Sequence, residues 1–380
     1  MLHGMTLSDL LFPYSTEKYQ AGITMTKKVQ CGNIFIGGGE PVSVQSMTNK
    51  DTRDIKACIS QIERLSDAGC DIVRLAVFDK MAAEAFGEIK KATDIPLVAD
   101  IHFDHRLALA AIEKGADKIR INPGNIGSRE KVRRIVDAAK KRGIPIRVGV
   151  NSGSLEKDIL EKYKGVTAEG LAESAIRSAK MLEDLGFEDL VLSVKASDPA
   201  INYDACILLS KMTKHPMHIG VTEAGTKGQG IIKSAVGIGA LLLAGVGDTV
   251  RVSLTGDPEA EVIAAKNIIA AAGLGRLPIN IISCPTCGRS RMDIEKLVIE
   301  LEKEIVPLCE KRKKAGKKSL DIAVMGCEVN GPGEAKEADF GVACGKGKGL
   351  IFIRGKAIKT VPEEEIIKEL VRMAENYENI

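Results

Sequence analysis

A repeating alternation of short β-rich runs and helical patterns is the feature that most constrains how this chain can fold. Eight such runs recur, separated by segments with helical periodicity. They are Val42–Gln45, Asp71–Val77, Pro96–Ile101, Lys118–Asn122, Pro145–Asn151, Asp189–Lys195, Met217–Thr222 and Thr249–Leu254. Eight strand–helix repeats over about 230 residues match a (β/α)8 TIM barrel in number and size. An open doubly wound sheet is the alternative, but it normally has fewer strands and a GxGxxG turn, which this chain lacks.

Glycines between the repeats support the same interpretation. Several predicted helices end in a glycine shortly before the next β run, and these glycines are Gly69, Gly115, Gly143, Gly186 and Gly247. The residue that follows the last helical turn often needs a positive φ angle, which glycine adopts at no steric cost. We therefore expect these glycines to terminate the helices of the barrel.

The character of the chain changes at about Leu277, and we predict a second domain from there. Strands Ile279–Ile282, Ser319–Met325, Phe340–Cys344 and Leu350–Arg354 are interspersed with helices Met292–Lys314 and Pro362–Tyr377. We expect a TIM-barrel domain over residues 1–275, with an N-terminal extension and a hairpin near residues 28–37. A smaller α/β domain over residues 276–380 is expected to follow it.

Composition excludes several classes of function. The net charge of +3 and a content of 8 Phe, 5 Tyr and no Trp argue against a nucleic-acid-binding protein. No stretch is long and apolar enough to span a membrane. Nine cysteines without a secretory leader favour reduced thiols and a cytoplasmic location.

Three cysteines in the second domain predict a metal centre. Cys284 and Cys287 are three residues apart in a turn held by Pro and Gly, and Cys327 lies in a second Gly/Pro-rich stretch. Three thiolates on two loops suit zinc or an iron–sulfur cluster. The fourth ligand could be Cys309, Cys344, a carboxylate such as Glu334, or an open position.

Polar residues at the ends of the barrel strands predict an anion site, because barrel enzymes place their chemistry at the carboxyl ends of their strands. These residues are Arg53, Asp100, His102, Arg120, Asn122, Arg147, Asn151, Lys195, Glu223, Arg251 and Ser253. Several cations that converge on one cavity favour a phosphate or diphosphate ligand. The alternative is that the arginines fill barrel layers and pair with Asp100, Glu223 and Asp257. For His102 a structural role is the expectation.

Six motifs carry a resemblance to a known family. They are VSVQSMTNKDTRD (Val42–Asp54), RINPGN (Arg120–Asn125), RVGVNSGSL (Arg147–Leu155), RVSLTGDP (Arg251–Pro258), SCPTCGR (Ser283–Arg289) and GCEVNGPGEA (Gly326–Ala335). With these motifs the chain resembles, over nearly its whole length, the bacterial two-domain 4-hydroxy-3-methylbut-2-enyl diphosphate synthases. The resemblance implies an iron–sulfur oxidoreductase of the non-mevalonate isoprenoid pathway. Its substrate would be 2-C-methyl-D-erythritol 2,4-cyclodiphosphate, and ferredoxin or flavodoxin would donate the electrons.

The resemblance also implies roles for individual residues. A [4Fe–4S] cluster would be held by Cys284, Cys287, Cys327 and Glu334, so the second domain would be an iron–sulfur cluster domain. Glu223 and Glu334 would be the catalytic carboxylates. The substrate-binding residues would be Arg53, Arg120, Asn122, Arg147, Asn151, Lys195, Arg251 and Ser253.

A homodimer with an active site shared between subunits is the expected assembly. The eighth helix, Glu259–Ala272, has 14 residues and spans about 21 Å at ~1.5 Å per residue. It therefore leads the chain to the face opposite the predicted active site. The second domain starts only a few residues later, which favours a cluster placed over the barrel of the partner subunit.

Two other functions are compatible with the residues alone. A barrel transferase or aldolase could carry a structural zinc module completed by Cys309 or Cys344, with Lys195 forming a Schiff base. A zinc-stabilised binding module without catalytic activity is the third possibility, which the polar barrel mouth disfavours.

Overall fold

The chain folds into two compact units that divide between Gly275 and Arg276. A computed structural model describes residues 25–327, 333 and 335–377. The N-terminal extension expected over residues 1 to about 24 lies outside the described residues. In the part of the chain that is described, no helix is long and apolar enough to cross a membrane.

The first unit is a parallel eight-stranded barrel preceded by a hairpin. The hairpin strands are β1 (Val29–Cys31) and β2 (Ile34–Ile36). The barrel strands are β3 (Ser43–Met47), β4 (Ile72–Ala76), β5 (Leu97–Asp100), β6 (Lys118–Ile121), β7 (Ile146–Asn151), β8 (Leu190–Lys195), β9 (His218–Ile219) and β10 (Thr249–Val250). Their order is β8-β7-β6-β5-β4-β3-β10-β9. A bridge between Leu192 and Met217 joins the first and last members of this order. The predicted TIM barrel is therefore confirmed.

Helices between the strands cover the outside of the barrel. They are α1 (Ile55–Asp67), α2 (Lys80–Lys91), α3 (His105–Glu113), α4 (Pro123–Ile126), α5 (Arg129–Arg142), α6 (Lys157–Tyr163), α7 (Ala168–Glu183), α8 (Pro199–Met212), α9 (Lys227–Leu243) and α10 (Pro258–Ala271). Four of the five glycines expected to end helices lie just after a helix with positive φ angles: Gly69 (90°), Gly115 (96°), Gly143 (64°) and Gly186 (71°). The prediction is confirmed for these four, since such backbone conformations favour glycine. It is wrong for Gly247 (124°), because α9 is capped at Ala244 and Gly245 (75°) is the glycine that ends it.

The hairpin closes the base of the barrel. Val29, Cys31 and Ile36 are fully buried or nearly so, and they form one apolar cluster with Ile72, Val98 and Val191 from β4, β5 and β8. The Thr26 hydroxyl, just before β1, donates to Asp248 Oδ1 at 2.6 Å, immediately before β10. The hairpin thus buries apolar surface against the amino-terminal ends of the strands.

In the described residues, the second unit is a five-stranded mixed sheet with two helices. Its strands are β11 (Ile279–Ser283), β12 (Leu320–Met325), β13 (Phe340–Gly345), β14 (Lys348–Ile353) and β15 (Lys356–Pro362), and they lie in this order. β11, β12 and β13 are parallel, whereas β14 and β15 are antiparallel to their neighbours. Helices α11 (Ile294–Lys314) and α12 (Ile366–Asn376) contribute to one core with the sheet. The mainly exposed edge strand β15 is an addition to the predicted elements.

Candidate active site

Six basic side chains enter the barrel lumen. They are Arg74 on β4, Lys118 and Arg120 on β6, Arg147 on β7, Lys195 on β8 and Arg251 just after β10. Their neighbours along the strands, such as Ile119 and Val148, belong to the apolar core outside the strands. Because side chains alternate along a strand, the cations occupy the inner side. Lys118, Arg120, Arg147 and Lys195 are each at most 6% exposed.

Two carboxylates partly neutralise these cations. Asp100 lies 3.2 Å from Arg120 Nη1 and 3.8 Å from Arg74 Nε, and Glu261 on α10 lies 3.3 Å from Arg251 Nε. Burial works to raise the pKa of Asp100, but Arg74, His102 and Arg120 together hold that pKa well below its ordinary value. Among the described residues, six basic side chains face two carboxylates inside the barrel, so basic groups are in clear excess.

Several of the lumenal N–H groups have no partner. Within the described part of the chain, Lys118 Nζ, Arg120 Nε, and Arg147 Nε and Nη1 are buried without a hydrogen bond. Arg147 Nη2 donates to Ser193 Oγ at 3.2 Å. Burial, reinforced by Arg74 and Arg120, lowers the pKa of Arg147 well below its ordinary value. A buried cluster of this kind is costly by itself and is the arrangement that an incoming polyanion satisfies.

Two glycines make room for the cations. A Cβ atom on Gly149 would lie 2.6 Å from Arg120 Nε. A Cβ atom on Gly220 would lie 2.6 Å from Lys195 Nζ and 2.4 Å from the carbonyl oxygen of Arg251. At Gly220 the contact with the Arg251 backbone excludes a side chain, whereas at Gly149 a side chain would force the Arg120 guanidinium to move.

The structure brings four of the predicted substrate-binding residues together in the lumen: Arg120, Arg147, Lys195 and Arg251. Asn151 ends β7 in register with Lys195 and is half-buried, as is Ser253 two residues beyond Arg251.

Three other predicted residues lie elsewhere on the barrel. The buried Asn122 caps α4, where its Oδ1 accepts from the Gly124 amide at 3.1 Å. Arg53 is exposed on the loop after β3 and pairs with Asp51 at 2.6 Å and Asp79 at 3.3 Å. Glu223 is exposed beyond the end of β9, with a φ angle of 53°.

The alternative considered above was that the arginines pair with Asp100, Glu223 and Asp257. In the structure only Asp100, of these three, pairs with an arginine of the lumen. Asp100 pairs with Arg120 as considered, but Asp257 caps α10 by accepting from the Glu259 amide at 3.1 Å. Glu223 forms no ion pair in the described residues. The exposed His102 has its Nε2 3.5 Å from Asp100 Oδ2, so it flanks the ion-pair cluster and is not a core histidine.

Four lumenal residues were missed by the sequence interpretation: Arg74, Lys118, His218 and Glu261. A signal existed for the first three, because each is a basic residue or histidine within a buried β run. Glu261 gave no such signal, since it lies on a helix and its carboxylate reaches Arg251, Ser46 and the Leu254 amide only in the folded barrel.

The predicted metal cysteines lie at one edge of the second sheet. β11 and β12 are parallel neighbours, so Cys284 after β11 and Cys327 after β12 follow the same edge. The Gly326 N–H donates to Cys284 Sγ at 3.1 Å. Cys287 is exposed, and its backbone carbonyl accepts from the Ser290 amide at 2.9 Å.

The donor chemistry of this edge fits a thiolate-bound metal centre. Hydrogen bonds from the backbone and side chain of Arg289 lower the pKa of Cys287 below its ordinary value, which favours the thiolate. An N–H group directed at Cys284 Sγ is the contact that stabilises a metal-bound sulfur. Over the described residues, no three His, Cys, Asp or Glu side chains are grouped closely enough to hold a metal ion. Glu334, the predicted fourth ligand, lies outside the described residues.

Comparison with known proteins identifies the family. The description "GcpE TIM-barrel domain" matches residues 26–266, and "GcpE protein C-terminal domain" matches residues 280–376. The chain belongs to the GcpE family. The resemblance inferred from the six motifs is therefore confirmed.

Curated members of the GcpE family resemble this chain over nearly their full length. A protein of Caldanaerobacter subterraneus is 54% identical over 92% of this chain and 97% of its own length. A protein of Ruminiclostridium cellulolyticum is 54% identical over 91% and 96%, and one of Anoxybacillus flavithermus is 51% identical over 93% and 96%. All three are named 4-hydroxy-3-methylbut-2-en-1-yl diphosphate synthase (flavodoxin).

Proposed function

We propose that this chain is a 4-hydroxy-3-methylbut-2-en-1-yl diphosphate synthase that receives electrons from flavodoxin. The reaction opens the ring of 2-C-methyl-D-erythritol 2,4-cyclodiphosphate reductively. Two electrons and two protons enter, one water leaves, and an allylic diphosphate is formed. The observation that carries this proposal is a lumen with six basic side chains and two paired carboxylates, in a chain that also has three cysteines at a sheet edge. The similar proteins name flavodoxin, and none of those cited names ferredoxin.

The lumenal cations would bind the diphosphate. Arg120, Arg147 and Arg251 present planar guanidinium groups that match phosphate oxygens, and Lys195 adds a point charge. The unpaired N–H groups of Arg120 and Arg147 become satisfied when phosphate oxygens accept from them. These fixed cations also stabilise the negative charge that the departing phosphate oxygen gains when its bond to carbon breaks.

The other predicted substrate residues would act around these cations. Asn151 and Ser253 are half-buried near the cations and offer neutral hydrogen bonds to the phosphate or hydroxyl oxygens. The buried Asn122 would act mainly by fixing the α4 turn at the end of β6. Arg53 is exposed and already paired with Asp51 and Asp79, so it would contribute to the attraction of the anion toward the barrel.

The cysteine-bearing edge would hold a [4Fe–4S] cluster through Cys284, Cys287 and Cys327, with Glu334 as the fourth ligand. Glu334 shares the Gly/Pro-rich stretch of Cys327, whereas Cys309 lies on α11 and Cys344 is buried within β13. Such a cluster supplies single electrons for C–O bond cleavage, which amino-acid side chains cannot provide. The Gly326 N–H, placed 3.1 Å from Cys284 Sγ, would help to stabilise the bound thiolate.

Glu223 is proposed as the carboxyl group near the reacting carbons, with Glu334 as the second catalytic carboxylate. Glu223 follows β9 at the carboxyl ends of the strands, where it is exposed in the left-handed backbone region at φ 53°. This conformation costs a non-glycine residue about 1–3 kcal/mol and persists only where the surroundings impose it. Such strain at a strand end supports a functional role for Glu223.

A homodimer is proposed as the working assembly, with each active site shared between subunits. Helices α9 and α10 border an apolar groove of about 780 Å³ on the outside of the barrel. Val236, Leu243 and Ile263 line this groove and are each at least half exposed. Contiguous apolar surface of this kind marks an interface, and a second copy of this chain on a two-fold axis would cover it. Because α10 leads away from the carboxyl ends of the strands and β11 starts at Ile279, the cysteines are proposed to serve the partner's barrel.

Anaerobic turnover tests the proposed activity. Protein purified without oxygen should be brown and should convert the cyclodiphosphate when reduced flavodoxin or dithionite supplies electrons. Cys327→Ser should abolish the colour and the activity, whereas Arg147→Met should keep the colour and lose substrate affinity. Colourless wild-type protein with one zinc ion per chain would refute the proposal and favour the barrel transferase or aldolase with a structural zinc module.

Subunit complementation tests the shared site. One subunit would carry Cys327→Ser and the other Arg120→Ala with Arg147→Ala, so that each homodimer is inactive. A mixed dimer should regain activity, because one of its two sites combines an intact barrel with intact cysteines. Absence of recovery in mixed dimers verified by native mass spectrometry would place the complete site within one chain.

A further inference from the structure

The barrel lumen contains a buried lysine–histidine pair. His218 on β9 is fully buried, and its neighbour Ile219 belongs to the outer core. A Cβ atom added to Gly220, two residues further along, would point at Lys195 Nζ inside the lumen. Because side chains alternate along a strand, His218 also faces the inner side. His218 Nε2 lies 3.3 Å from Lys195 Nζ. His218 Nδ1 is buried and has no hydrogen-bond partner among the described residues.

The surroundings of the pair are predominantly cationic. The charged lumenal groups on the neighbouring elements are Arg74 on β4, Asp100 on β5, Lys118 and Arg120 on β6, Arg147 on β7, Arg251 after β10 and Glu261 on α10. In the described part of the chain, no carboxylate forms an ion pair or hydrogen bond with Lys195. Its ammonium group therefore faces an imidazole nitrogen and an excess of positive charge.

This environment favours loss of protons from the pair. Burial, reinforced by Arg147 and Arg251, lowers the pKa of Lys195 well below its ordinary value. Burial, reinforced by Arg147 and Lys195, likewise lowers the pKa of His218. Two positive groups 3.3 Å apart repel each other strongly, so at most one of the two side chains is in its charged, protonated form. When the proton is on Lys195, the ammonium group donates a hydrogen bond to Nε2 of a neutral His218.

We propose that His218 positions the Lys195 ammonium for the bound anion, and that the pair takes up its shared proton as the diphosphate enters. This inference rests on the proposed diphosphate site. In the empty lumen the neighbouring cations disfavour protonation of Lys195. The negative charge of an incoming diphosphate favours the protonated form instead. His218 Nε2, 3.3 Å away, fixes the direction of Lys195 Nζ, and the missing side chain of Gly220 leaves the room that Nζ occupies.

The positioning role is tested by two substitutions of His218. His218→Leu removes the acceptor while leaving an apolar group of similar size. His218→Gln keeps an acceptor near the position of Nε2. We expect His218→Leu to weaken cyclodiphosphate binding about ten- to a hundredfold, as for the loss of a hydrogen bond to a charged group. His218→Gln should restore most of the affinity, and circular dichroism will verify that both variants fold. Equal affinity of wild type and His218→Leu would overturn the positioning role, as would equal losses in both folded variants.

Proton uptake is tested by calorimetry without reductant, so that no turnover occurs. Cyclodiphosphate is titrated into the protein in buffers with different ionisation enthalpies between pH 7 and 9. Each phosphorus of the cyclic ligand carries only one acidic oxygen, so the ligand itself does not titrate in this range. We expect the wild type to take up as much as one proton per site, and its affinity to fall as the pH rises. Lys195→Arg keeps a cation that does not titrate and should take up none.

The outcomes separate this inference from the function on which it rests. If the wild type binds the cyclodiphosphate without proton uptake, the inference that the pair gains a shared proton is refuted, while the proposed function stays intact. Uptake that persists unchanged in Lys195→Arg would assign the proton to another group and overturn the inference in the same way. Wild type that fails to bind the cyclodiphosphate would refute the proposed function itself.

Discussion

Replacement of Arg147 by methionine should stabilise the ligand-free protein. Arg147 is 2% exposed, and its Nε and Nη1 have no hydrogen-bond partner in the described residues. Two unsatisfied buried nitrogens cost about 2–6 kcal/mol together, and the single bond to Ser193 returns about 1.5–3 kcal/mol. Methionine has a similar length and no charge. We therefore expect Arg147→Met to raise the free energy of unfolding by about 1–3 kcal/mol, within the range found when buried charges are replaced by apolar groups.

Thermal unfolding followed by calorimetry measures this effect. A gain of 1 kcal/mol corresponds to about 2–4 °C in Tm for a unit of this size. Inorganic diphosphate should raise the Tm of the wild type and have a smaller effect on Arg147→Met. A saturating ligand at a hundred times its Kd contributes about 2.7 kcal/mol, and a tenfold loss of affinity removes about half of that.

Arg312 provides the matched control. It is equally buried at 2%, but Nη1 donates to the Ala374 carbonyl at 3.0 Å and Nη2 to the Lys318 carbonyl at 2.6 Å. Arg312→Met leaves both carbonyl groups without these donors and should lower the free energy of unfolding by at least about 2 kcal/mol. If Arg147→Met also lowered the Tm, Arg147 would be a structural residue and the excess lumenal charge would be compensated.

Three further predictions concern the same two sites. Gly149→Ala should weaken binding of the cyclodiphosphate at least about tenfold, because the new Cβ would displace the Arg120 guanidinium, and isothermal titration measures the loss. Asp100→Asn should destabilise the protein fully at pH 7 and progressively less below about pH 4, because a carboxylate with a lowered pKa contributes its full stability above its unfolded-state pKa and loses it as the pH falls toward the folded-state pKa; urea unfolding across pH checks this. Cys309→Ser should retain the visible absorption of the anaerobically purified protein, whereas Glu334→Gln should diminish it, and the opposite pattern would identify Cys309 as the fourth ligand.

The barrel was predictable because its sequence signals are local and repeat eight times. A buried parallel strand has alternating apolar residues, and a basic residue between them, as in Lys118-Ile119-Arg120, can only face the lumen. The positive φ angles of the helix-terminating glycines follow from the same local logic. Local spacing also drew attention to the cysteines, and the structure places Cys284 and Cys327 after neighbouring parallel strands, while their role as metal ligands stays a prediction.

Partners that depend on tertiary packing were not predictable. Glu261 pairs with Arg251 because α10 returns along the barrel. The positions of the polar residues along this helix do not indicate such a contact by themselves. Asp257 is nearer to Arg251 in sequence, but it serves as the helix cap. Arg53 follows a strand end like the other arginines, yet two nearby aspartates hold it at the surface. Strand ends predict which face a residue occupies, whereas the closure of the barrel decides which charges meet.

The hairpin beneath the barrel has a kinetic consequence. Val29, Cys31 and Ile36 seal one end of the lumen with apolar side chains. On the proposed function, substrate and product would therefore pass through the same opening at the carboxyl ends of the strands. A diphosphate product that stayed on the lumenal cations would block the next substrate molecule, so we expect product inhibition that is competitive with the cyclodiphosphate. Turnover in such a blind-ended chamber would then depend on how quickly the cations release the product.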